Sequence, residues 1–112
     1  MPKIENFGLP IGPVGTNSLN ADAGYIYPVN SGSSYTVYIN DTNQHKIPEG
    51  SIFIVVDTGG SAGTNPISFD SSNTVGSING VGSGVGFQIN TNGGAAIAVK
   101  EPQENWVVFN SR

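Results

Sequence analysis

From residue 23 onward, apolar and polar residues alternate with a period of two in short runs, each closed by turn-forming residues. That pattern predicts strands. Tyr25, Tyr27 and Val29 alternate with Gly24, Ile26 and Pro28, and the proline places this strand at an edge or a bend. Tyr35, Val37 and Ile39 alternate with Thr36, Tyr38 and Asn40, giving one apolar face. After a turn at Ile47-Pro48-Glu49-Gly50, the run from Ser51 through Ile52-Phe53-Ile54-Val55-Val56 to Asp57 is apolar on both faces. A strand of that kind must be covered on both sides, by a second sheet and by another element or subunit.

Further short strands are expected at Ile67-Ser68-Phe69, at Thr74-Val75 with Ile78, at Phe87 to Ile89, at Ala95 to Val99 and at Trp106 to Phe109. Asn92-Gly93-Gly94 reads as a hairpin, because Asn and Gly tolerate the positive φ of tight primed turns. With no helical period between the runs, the expected fold is all-β: an antiparallel β-sandwich over residues 23–112, of which the jelly roll is one arrangement. Residues 1–22 carry Pro2, Pro10 and Pro13 beside isolated apolar residues. They are expected to form an extended N-terminal arm that docks through Ile4, Phe7, Leu9, Ile11 and Val14, the alternative being a frayed terminus.

Composition sharpens this picture. Ile and Val number 22 against two Leu, a β-branched profile that excludes a helical bundle. The 112 residues make one domain with a thin core, for which self-association is a natural supplement. The net charge is −4 and the four basic residues, Lys3, Lys46, Lys100 and Arg112, are scattered, so no nucleic-acid partner is expected. No run reaches the roughly 18 to 20 apolar residues of a membrane span, and no signal-peptide pattern opens the chain, so neither membrane insertion nor export by that route is expected. There is no Cys, hence no disulfide and no thiolate metal site.

Several motifs invite a chemical reading. Asp57-Thr58-Gly59 after an apolar strand resembles the D-T-G of dimeric aspartic proteases, in which two carboxylates share a proton and activate water. The later apolar-apolar-Gly and short helix of those enzymes have no counterpart, and an Asp before a Gly turn is common. The glycines from Gly80 to Gly86 miss the spacing of a phosphate loop and read as a hairpin or a close backbone approach. Asp41, Asn43 and His45 are spaced like the opening ligands of a calcium loop, but the closing position falls on Ile52. His45 is the only histidine, with no nucleophile elbow to serve. Glu101 and Glu104 flank Pro102 in a turn, where solubility explains them. Tyr25, Tyr27, Tyr35, Tyr38 and Trp106 suit sugar stacking, but Tyr25, Tyr27 and Tyr35 fall at the alternating positions of a core and Trp106 begins the last strand, so core or subunit contact is favoured. No catalytic residue, metal site or cofactor is assigned, and an enzyme is not expected.

Five short motifs occur in order: Ile52-Phe53-Ile54-Val55-Val56-Asp57, Thr64-Asn65-Pro66-Ile67, Ile78-Asn79-Gly80, Ile89-Asn90-Thr91-Asn92 and Asn105-Trp106-Val107-Val108, preceded by Ala23-Gly24-Tyr25-Ile26-Tyr27-Pro28-Val29. This order resembles a β-rich module of tailed-bacteriophage structural proteins over residues 23–109. The resemblance implies a virion protein assembled in the host cytoplasm, usually trimeric, with itself and phage capsid or tail proteins as partners. The chain is short and has no coiled-coil shaft, which departs from long fibres and suits a capsid decoration (cement) or head-fibre protein held by its arm. The alternative is the receptor-binding knob of a tail fibre or tail needle, touching host glycan or protein through loops that carry Asp41, Asn43, His45, Thr64 and Asn65.

Overall fold

The computed structural model describes residues 8–110. The chain forms nine strands: β1 (Ser18–Ala21), β2 (Ile26–Val29), β3 (Tyr35–Ile39), β4 (Ile52–Asp57), β5 (Ile67–Asp70), β6 (Ser77–Ile78), β7 (Val85–Ile89), β8 (Ala95–Glu101) and β9 (Asn105–Asn110). They pair into a four-stranded sheet ordered β1-β3-β5-β7 and a five-stranded sheet ordered β2-β4-β8-β9-β6. The all-β sandwich expected from the alternation is the observed fold. Alternation holds residue by residue in β3, where Tyr35, Val37 and Ile39 are buried and Thr36 and Tyr38 turn outward.

The pairing departs from the antiparallel expectation. Strands β1 to β7 alternate between the two sheets, and β3, β4 and β5 each return parallel to the last strand but one. β1 with β3, β3 with β5, β2 with β4 and β6 with β9 are parallel, whereas β5 with β7, β4 with β8 and β8 with β9 are antiparallel. Turn residues signal that a chain reverses. They carry no information on whether the next strand pairs in the same sheet or faces it from the other. Asn92-Gly93 illustrates the point: Gly93 takes φ 71° and Gly94 N–H donates to Thr91 O at 2.9 Å, but the turn joins β7 to β8 in the opposite sheet and makes no hairpin. The hairpin is instead β8-β9, closed through Pro102–Glu104 with Gln103 and Glu104 at positive φ.

The stretch expected to be an arm supplies β1, whose Leu19 and Ala21 are in the core at 5% and 0% exposure. Two apolar residues in a four-residue strand are too short a signal to read as alternation. Ahead of it, Ile11 makes a parallel bridge to Ile26 and so extends the five-stranded sheet beyond β2.

Aromatic side chains knit the two sheets together. Phe53 on β4 lies 6.0 Å from Tyr27, 5.4 Å from Trp106 and 6.3 Å from Phe69 across the sandwich, and Phe69 continues to Phe87 at 5.7 Å, in the tilted, edge and stacked geometries that aromatic rings favour. Tyr27, Tyr35 and Trp106 are buried, with Tyr25 packed against the same core. In the glycine-rich stretch, a Cβ on Gly86 would collide with the carbonyl of Ile78, so the close backbone approach expected there is present between β7 and β6.

Candidate functional site

The charged groups nearest the core are structural. Asp41 follows β3 and is fully buried; its Oδ2 accepts from Lys100 Nζ at 2.6 Å and from Trp106 Nε1 at 3.1 Å, and its Oδ1 accepts from Ile47 N–H at 2.9 Å. Lys100 also donates to Ile47 O at 3.0 Å. Burial works to raise the Asp41 pKa, but the Ile47 N–H, Lys100 and the Trp106 N–H outweigh it and hold the carboxyl below its ordinary value. Asp41 therefore pins the β3-β4 connection inside the sandwich, its side chain buried beneath the loop that carries the exposed Asn43 and His45. The loop reading overlooked Lys100. Its signal was present, because Lys100 is in phase with the inward Ala96 and Ala98 of β8.

Asp57 ends β4 at 4% exposure and accepts backbone N–H groups from Gly60 at 3.1 Å, Ala62 at 2.9 Å and Gly93 at 2.9 Å. Burial again raises its pKa and these donors more than reverse the effect. The D-T-G motif thus ties two loops together, its carboxylate oxygens engaged by amides. His45 is exposed and its Nε2 lies 3.0 Å from Asp22 Oδ1. Among the described residues no group of three or more metal-ligating side chains occurs.

Of the other loop residues, Asn43 and Thr64 are exposed and Asn65 is half-buried. Of the arm residues, Leu9 is half-buried, Ile11 is 67% exposed and Val14 is 40% exposed, whereas Ile4 and Phe7 lie outside the described residues. Among these described arm residues, Ile11 alone joins the five-stranded sheet, pairing with Ile26 of β2, which in turn pairs with Ile54 of the doubly apolar strand.

That register builds the most distinctive surface of the molecule. Across the outer face of the five-stranded sheet run Ile11, Ile26, Ile54, Ile97 and Phe109, each the register partner of the next. Above and below this row lie Pro28, Val56 and Ala95, and Ile52, Val99 and Val107. The inward alternates, Tyr27, Val29, Phe53, Val55, Ala96, Ala98, Trp106 and Val108, are buried, whereas of the outward set Ile11, Ile52 and Phe109 are exposed and Ile26, Ile54 and Ile97 half-buried. No charged residue stands in these three rows; Glu101, opposite Asn105, marks the end of the face. Five positions at about 4.8 Å span about 19 Å.

The opposite outer face has the reverse character. Ser18, Thr36, Ser68 and Gln88 form one cross-strand row, and Asn20, Tyr38 and Asp70 the next, which ends on the exposed Val85. One molecule thus carries an apolar face and a polar, nearly uncharged one.

No protein-family model matches the chain, and no curated protein matches it. The functional reading accordingly rests on these two faces and on the order of motifs along the sequence.

Proposed function

We propose that the chain is a non-enzymatic structural protein that associates with copies of itself and decorates a bacteriophage capsid. The observation that carries this reading is the uncharged apolar row Ile11, Ile26, Ile54, Ile97 and Phe109 with its flanking rows. Such a face covers roughly 400 Å² in projection, within the range of the largest apolar patch on a monomer and about half of what one partner buries in a standard interface. It supplies an interface centre, whose rim must come from the surrounding loops. Three sheets turned toward a common axis cover these rows in every copy, in keeping with the trimers of the phage modules that the sequence resembles. Burial at about 25 cal/mol per Å² of apolar area gives the driving force, less the freedom lost on association.

Attachment to the shell falls to the N-terminal stretch. Val14 is exposed, and Ile11 sits at the rim of the apolar face, where one segment can touch both a neighbouring copy and the particle. Labelling of virions from the phage that encodes the chain is expected to show many copies over the head, released when residues 2–15 are deleted. Label confined to the tail, or absent from particles, contradicts the proposal.

A further inference from the structure

The polar sheet bears a cleft of about 480 Å³ at its β1 edge, a size ordinary for small-ligand sites. Pro13 and Val14 form one wall where the chain turns into β1; Ser18 and Asn20 come from β1, Tyr38 from β3 and Asn73 from the loop after β5. Asn20 and Tyr38 are direct cross-strand partners, so the amide and the ring stand side by side. Tyr38 is the one tyrosine that faces outward from the middle of a strand: Val37 and Ile39 on either side are fully buried, and its ring stacks on no other aromatic among the described residues.

The side chains of Asn40, Asn79, Asn92 and Asn105 hydrogen-bond within the fold, whereas exposed ones such as Asn17, Asn30 and Asn43 form no hydrogen bond to another described residue. The side chains of Ser18, Asn20, Tyr38 and Asn73 form no hydrogen bond to another described residue. Among the described residues the lining holds no charged side chain, and Asp70, paired with Tyr38 on β5, adds a carboxylate on that flank. An anion finds no counter-charge, and a cation finds no set of ligands.

We infer that the cleft beside Tyr38 is a binding site for a neutral saccharide. A pyranose ring offers an apolar C–H face to an aromatic ring and a rim of hydroxyls, each both donor and acceptor. An Asn amide offers a donor and an acceptor on one planar group, which suits a pair of neighbouring hydroxyls. Tyr38 with Asn20 and Asn73 supplies both parts. The inference is independent of self-association, because the cleft lies on the sheet opposite the apolar face; Val14, which shell attachment also uses, forms its wall, so binding is read on the free chain.

The test is a titration of the ¹⁵N-labelled full chain with cellohexaose, maltohexaose, mannohexaose and chitohexaose, with sialyllactose and a heparin hexasaccharide as anionic probes. At least one neutral hexasaccharide is expected to shift the amides of Gly15, Ser18, Asn20, Tyr38 and Asn73. Loss of the ring in Tyr38→Ala is expected to weaken that binding about tenfold, whereas Tyr38→Phe stays within about threefold. Asn20→Ala is expected to weaken it as well, with the spectrum otherwise unchanged. The inference is overturned if no neutral sugar shifts these amides up to about 10 mM, if the anionic probes bind better, or if Tyr38→Ala binds as the parent does.

Discussion

At the scale of single residues, Asp41 shows how one buried group organises its surroundings. Its carboxylate holds a lysine, an indole and a backbone amide, and removing either charge leaves the other buried without its partner. Asp41→Ala and Lys100→Met are each expected to cost about 3–5 kcal/mol, read from urea midpoints, whereas the double replacement by apolar residues recovers part of the loss. Asp41 and Asp57 both have depressed pKa values, so the stability they contribute is present above the ordinary carboxylate value near 3.8 and disappears as pH falls through the lower folded value. Asp57→Asn, which keeps the shape but loses the charge, is expected to be less stable at neutral pH and to show a shallower loss of stability in acid. An unchanged acid slope in that variant contradicts the role given to the carboxylate. Asp57 was legible as a turn residue because turn chemistry is local. The Ile47 amide is local to Asp41, but Lys100 and Trp106 lie 59 and 65 positions away along the chain, and no local pattern contains them.

At the scale of elements, each strand of the core was visible where β-branched and aromatic residues alternate, and β4 was visible as greasy on both faces. Strand β1 was lost because Leu19 and Ala21 are its only apolar residues. Short β6 is held by Asn79, which takes φ 50° and uses its side-chain amide as a piece of strand, donating to Val108 O at 3.1 Å and accepting Val108 N–H at 3.0 Å. Asn79→Ala removes these bonds, together with the one the amide donates to Gly86 O at 3.3 Å, and is expected to cost about 1–3 kcal/mol and to raise amide exchange at Val108. The Gly80-Gly86 stretch and the Asn92-Gly93 turn were legible as chemistry and illegible as topology, since what each joins is decided by the sheet that receives the next strand.

At the scale of the whole molecule, the sandwich winds from sheet to sheet and leaves two faces of opposite character. The polar face needs no cover. The apolar one continues, through Ile11, into the N-terminal stretch whose greasy residues had suggested docking. From the sequence, the double apolarity of β4 already demanded a second covering layer, and the register shows that Ile26, Ile97, Phe109 and Ile11 share that demand. The central claim is that another copy of the chain meets it. Sedimentation velocity on the full chain at micromolar concentration tests this directly, with Ile54→Lys as the control that places a charge in the middle of the row and leaves the buried side of β4 intact. The account predicts a discrete oligomer, with three copies the expected number, that falls to monomer in Ile54→Lys while the far-UV circular dichroism stays the same. A parent chain that sediments as a stable, well-behaved monomer at that concentration contradicts it.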